Sequence, residues 1–238
     1  MKRFAIAAKL SGGAVPLGVD VGVLQRSSHP RSAVRSSLEP AEITARMVIV
    51  ALFTFLAVRI GADFLQTGRI TGLLLLASEG LVIVLTVCRR PTNVVDRSLR
   101  ARVLTTISLI GPLLVGPAAA VTALMPEAAT VTLTACGLLV VIGGKLSLGR
   151  SFGLMPANRG VVSTGLYRLV RHPIYMGYLI THVGFLAANP RFWNVMTLVG
   201  ADVALLIRAV CEEKTLARDA AYREYQQRVR WRVLPGLF

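Results

Sequence analysis

Long apolar runs separated by short arginine-bearing segments restrict this chain more than any other feature. A helix needs about 20 mainly apolar residues to cross a bilayer, and four uninterrupted stretches reach that length: residues 44–65, 70–88, 103–125 and 128–148. A further run, 174–210, is broken once at Asn189-Pro190-Arg191. That break is a turn signal, so the run reads as a tight helical hairpin of 174–188 and 192–211. Backbone polar groups cannot be left unpaired in hydrocarbon, which makes helices the form such runs take. The expected fold is all-α, a polytopic integral membrane protein of about six transmembrane helices including a C-terminal helical hairpin.

Hydrophobic residues make up 54% of the chain and charged residues only 16%, whereas a soluble domain is about one quarter charged. The excess of 27 basic over 12 acidic residues does not point to nucleic acid, because the arginines cluster between apolar runs instead of forming a continuous polar face. It fits a cytoplasmic leaflet of anionic lipid. The loop RRPTNVVDRSLRAR carries Arg89, Arg90, Arg97, Arg100 and Arg102, whereas the link at "MPEAA" has only Glu127. Orientation follows from that bias. It puts the arginine loop, the 149–173 segment and both termini in the cytoplasm, in a bacterial-type inner membrane. Cys88, Cys136 and Cys211 lie in or at the ends of apolar stretches without metal-ligand spacing, so no metal site is expected. Lys9 interrupts the apolar start too early for a cleaved signal peptide. Three regions result: a basic extension over 1–43, a four-helix transmembrane region over 44–148, and a catalytic region over 149–238 with the hairpin and an interfacial C-terminal helix.

Polar residues in two places ask for a chemical reason. In "RHPIYMGY", residues 171–178, proline after His172 sets the start of a helix. Its first-turn N–H groups suit an anionic group, and Gly177 leaves room for close approach of a ligand or another helix. Interfacial anchoring by Arg168, Arg171, Tyr175 and Tyr178 is the competing reading. The second place is "RAVCEE", where Arg208 and Glu212 share a helix face and Glu213 lies beside them. Two carboxylates at a helix C-terminus oppose the dipole, so a cation should compensate them, either Arg208 or a cationic cofactor. The hairpin brings both places to one membrane side. Within the spans, His182 and Asp202 are placed to pair across the hairpin. Arg59, Glu79 and Lys145 are further ionisable residues in apolar surroundings.

"LGRSF", then "GLYRLVRHPIYMGY", a hydrophobic hairpin closing on "EE", and "YREYQQRVRWRVLP" together resemble the C-terminal half of the isoprenylcysteine carboxyl methyltransferase family, related to the membrane phospholipid N-methyltransferases. The resemblance covers roughly residues 146–236. It implies an S-adenosylmethionine site lined by Tyr167, His172, Pro173, Tyr175 and Gly177. It also implies that Glu212 and Glu213 hold the cofactor's amino end, and that Arg208 stands near a lipid-like or prenylated methyl acceptor entering from the bilayer.

A carboxylate acceptor is already ionised at neutral pH and needs no base, which suits Arg208 as its partner. An amine or thiol would need a proton removed, by Glu213 or His182. The rival enzyme reading is a nicotinamide-dependent membrane reductase of sterol-reductase-like type, and the non-enzyme rival is a transporter or scaffold. The topology itself is testable. With the native cysteines replaced, single cysteines at Ser98 and Glu127 are expected to react with impermeant maleimide from opposite membrane sides, and labelling of both from one side would break the alternation.

Overall fold

The computed structural model describes residues 40–67, 70–92, 95–116, 121–155 and 157–238. Among them α1 spans Pro40–Thr67, α2 Ile70–Cys88, α3 Leu99–Ile110, α4 Glu127–Leu148, α5 Pro173–Ala188, α6 Phe192–Leu216 and α7 Ala220–Arg228, with no named strand. The chain is an all-α polytopic membrane protein: α1, α2, α4 and α6 are each long and apolar enough to cross a bilayer, and the apolar α5 is shorter. Of the expected extension, residues 1–39 lie outside the described residues, and residues 40–43 form the first turn of α1.

The apolar run at 103–125 is not one continuous helix. α3 is capped by the Ser98 hydroxyl, which accepts the Ala101 N–H at 3.2 Å, but it stops at Ile110 and gives way to one 3-10 turn, Gly111–Leu113. Pro112 has no N–H for an α-helical bond and Gly111 is a poor helix former. The irregular continuation finds partners at the hairpin turn. Trp193 donates its indole N–H to the Leu114 carbonyl at 3.2 Å. Asn194 donates to the Gly116 carbonyl at 2.9 Å, and the Leu124 N–H reaches the Ala187 carbonyl at 2.8 Å. A non-helical segment at this depth survives because protein satisfies its polar backbone.

α5 and α6 form the expected hairpin, but α5 packs most intimately on α4. Glycines on both helices allow it. A Cβ added at Gly177 would lie 2.7 Å from the Gly137 carbonyl oxygen and 2.6 Å from a Val141 methyl. One added at Gly184 would lie 2.9 Å from the Thr134 nitrogen, and one at Gly144 would lie 2.8 Å from the Ile174 side chain. Small residues at such an interface let backbones approach and gain dispersion contacts where lipid supplies no hydrophobic drive. α4 ends at Gly149, whose φ of 49° serves a helix terminus at little cost.

Four of the ionisable residues inside the spans, Glu79, Lys145, His182 and Asp202, are paired. Lys145, fully buried on α4, donates to the Ser78 carbonyl at 2.9 Å and hydroxyl at 2.8 Å. Its Nζ also lies 3.7 Å from Glu79 Oε1, binding α4 to α2. His182 Nδ1 meets Asp202 Oδ1 at 2.6 Å across the hairpin. Arg59 lies exposed on α1.

Because the α4–α5 contact leaves no room at Gly177, Gly177→Ala is expected to lower stability by about 1–3 kcal/mol, the usual cost of overpacking. Gly200→Ala, where an added Cβ meets nothing within 4 Å, is the matched control. Thermal melts of both in detergent check this, and equal melting temperatures would remove the packing role.

Candidate functional site

The site forms where the start of α5, the end of α6 and the returning C-terminal segment meet. The returning segment is tied by backbone bonds: Arg171 N–H donates to the Trp231 carbonyl at 2.9 Å and His172 N–H to the Arg232 carbonyl at 2.7 Å. This changes the expected anion site at the first turn of α5. Pro173 has no N–H, while the Tyr175 and Met176 N–H groups both reach the His172 carbonyl at 3.1 Å.

Glu213, 4% exposed, is the centre of the junction. Its carboxylate receives Arg171 Nη1 at 2.9 Å and Arg232 Nε at 3.0 Å, with His172 Nε2 at 3.3 Å and Gln226 Nε2 at 3.4 Å. Three elements are thereby joined through one buried anion. The cation that the helix dipole demands at this end of α6 is supplied mainly by Arg171 and Arg232.

Glu212 has different surroundings. It accepts the Tyr175 hydroxyl at 2.7 Å and, among the described residues, has no ion pair. Arg208 does not neutralise it. That guanidinium lies over the Tyr175 ring, 5.5 Å from its centroid, and donates through Nη2 to the Leu154 carbonyl. The His172 ring stacks on Tyr175 with centroids 5.1 Å apart.

These groups surround a cavity of about 120 Å³ whose roof includes residues 151–155 and 159–162. Tyr167, His172, Tyr175, Arg208 and Glu212 line it, as does Ile174. Pro173, Gly177 and Glu213 do not line it: Pro173 is buried as the first residue of α5, Gly177 faces α4, and Glu213 is turned into its cluster of cations. Arg171, Tyr178, Tyr222 and Tyr225 line the cavity without having been singled out as ligand-contacting residues. The three-residue spacing of Tyr222 and Tyr225 puts both on one face of α7, a pattern that an interfacial helix shares. Tyr225 donates to the Tyr167 carbonyl at 2.8 Å. The Tyr222 hydroxyl and Arg208 Nε are buried without a hydrogen-bond partner, and such orphans are rare enough to need an explanation. Burial pushes the phenols of Tyr167, Tyr222 and Tyr225 above the ordinary tyrosine value, and nearby carboxylates add to the effect. All three therefore stay neutral donors at physiological pH.

Residues 127–223, from α4 into α7, match the family described as phospholipid methyltransferase. Over this stretch the chain is similar to that family's methyltransferases. That family is related to the isoprenylcysteine carboxyl methyltransferases whose pattern residues 146–236 resemble. No curated protein and no solved structure matches the chain. The matched stretch contains all five expected residues that line the cavity, while Tyr225 and the 229–238 segment that pins α5 fall beyond its end.

The two glutamates should separate in a stability assay. Glu213→Gln leaves Arg171 and Arg232 facing each other without their anion, and breaking such a buried pair costs about 3–5 kcal/mol. Glu212→Gln loses only the charge on one tyrosine bond and should melt close to the parent. Equal melting losses would contradict these separate roles.

Proposed function

We propose that residues 149–238 form an S-adenosylmethionine site and transfer a methyl group to a lipid-like or prenylated acceptor, with a carboxylate as the favoured acceptor group. The observation that carries this reading is Glu212, a carboxylate without an ion pair on the wall of an aromatic cavity, beside two buried polar atoms that have no partner. The residues present fit the cofactor. Glu212 would hold its amino end, Tyr222 offers a neutral hydroxyl donor, and Tyr167, His172 and Tyr175 provide flat surfaces for its rings. S-adenosylmethionine supplies a methyl group on a sulfonium, which is displaced in line by the acceptor.

The protein's part in such a reaction is alignment. Arg208 is held by the Leu154 carbonyl and the Tyr175 ring, which leaves Nε to orient an acceptor carboxylate by a charge-assisted bond. Glu213 acts in this reading as a positioning residue: with Arg171, His172 and Arg232 on its oxygens, it sets the ring of His172 and the start of α5. The cavity is smaller than the roughly 300–1,000 Å³ of ordinary small-molecule sites. Loading therefore requires the cavity to widen. The description of the matched family favours one second reading, an amine acceptor on a phospholipid. That route needs a proton acceptor, and Glu212 is the carboxylate on the cavity wall. Both termini and the cofactor site face the cytoplasm in this reading, in a bacterial-type inner membrane.

Calorimetry on detergent-solubilised protein, with S-adenosylmethionine, its demethylated product and NADPH as titrants, tests the assignment. The first two should bind and the third should not. Binding of NADPH alone would favour the reductase reading, and binding of none would favour a transporter or scaffold. Glu212→Gln should weaken cofactor binding about tenfold or more, the value of one charged hydrogen bond. Arg208→Lys keeps the charge but loses the planar fork, and should reduce methyl transfer far more than cofactor affinity. The reverse pattern would exchange the two roles.

A further inference from the structure

A second concavity, of about 360 Å³, opens at the level where α2 and α4 end, and is lined by Arg90, Ser147, Arg150, Ser151, Ser163 and Thr164 among others. The backbone builds it. Arg90 N–H donates to the Arg150 carbonyl at 2.8 Å, so the link leaving α2 and the turn leaving α4 run side by side and bring two guanidinium groups to one hollow. Arg150 is steadied by its Nε bond to the Cys88 carbonyl at 3.2 Å, which leaves both terminal nitrogens available. Among the described residues neither arginine has a carboxylate partner, and the hydroxyls of Ser163 and Thr164 make no hydrogen bond.

We propose that this hollow binds a phosphate group, outside the methyl-transfer cavity. Two guanidinium forks match the several oxygens of a phosphate, and hydroxyls supply the remaining donors. A transmembrane helix end is the depth of lipid headgroups, where basic residues meet anionic lipid. Arginine bias from topology alone would scatter charge along the loop; it would not join two arginine-bearing links 60 residues apart in sequence by a backbone bond and set the unpartnered hydroxyls of Ser163 and Thr164 beside them. The hollow shares Leu148, Ser151, Val161 and Val162 with the wall of the transfer cavity. A phosphate held there braces the roof under which the methyl acceptor binds. The site stands whether or not the cavity takes S-adenosylmethionine.

The test uses the full chain in maltoside detergent and native mass spectrometry with phosphatidic acid, which presents a phosphate monoester, against phosphatidylcholine. The parent should retain phosphatidic acid preferentially. Arg90→Gln with Arg150→Gln should weaken that binding about tenfold or more, whereas the paired lysine variant should keep a larger part of it. Melting temperature in the same detergent confirms that the variants are folded; if the double variant is not, each single glutamine variant should show the loss. Competition by millimolar inorganic phosphate assigns the site to a soluble phosphate as well, and failure to compete assigns it to the lipid headgroup. Undiminished binding of phosphatidic acid by the glutamine variants, or equal retention of both lipids by the parent, overturns the proposal.

Discussion

A single buried carboxylate, Glu213, holds together parts of the chain that would otherwise have no reason to meet. Taking an anion out of water is costly, and the cost is recovered only when good partners surround it. Arg171, His172, Gln226 and Arg232 do so from the start of α5, from α7 and from the segment beyond it. Since His172 and Tyr175 are stacked, orientation passes from this cluster to the aromatic wall of the cavity and on to Glu212. Adjacent acidic residues thus have separate surroundings: one is consumed by the architecture, and its neighbour stands on the cavity wall with a single tyrosine hydroxyl as its partner.

The membrane-embedded part obeys a related rule. Lipid gives helices little reason to associate through apolar burial, so their arrangement rests on close backbone approach and on polar pairs that have no alternative partner. Glycines at 137, 144, 177 and 184 provide the first between α4 and α5. Lys145 with Ser78 and His182 with Asp202 provide the second. The cavity lies at the end of this rigid pair and inherits its geometry.

Much of this was legible in the sequence, for identifiable reasons. Apolar length located α1, α2, α4 and the hairpin, and the His172-Pro173 step marked the start of α5 within a residue. The pairing of His182 with Asp202 followed from the cost of lone charges in hydrocarbon. The run at 103–125 was misleading because apolarity does not report that Pro112 interrupts the hydrogen-bond ladder. Gly177 shows a different limit: missing bulk can serve a ligand or a helix, and only the position of α4 decides between them. The separate roles of Glu212 and Glu213 depend on Arg171 and Arg232, which approach from opposite directions along the chain. The inward turn of Tyr222 was hidden because an interfacial helix and a cavity wall have the same amphipathic pattern.

The return of Trp231 and Arg232 to the backbone of residues 171 and 172 sets an order of assembly. Every helix long enough to cross a membrane precedes Arg232 in the chain, so Glu213 lacks one of its two arginine partners until the last residues have been made. A chain that stopped near residue 220 would hold every long apolar helix, yet the start of α5 would lack its backbone partners at Trp231 and Arg232, and the cavity its Tyr222 and Tyr225 wall.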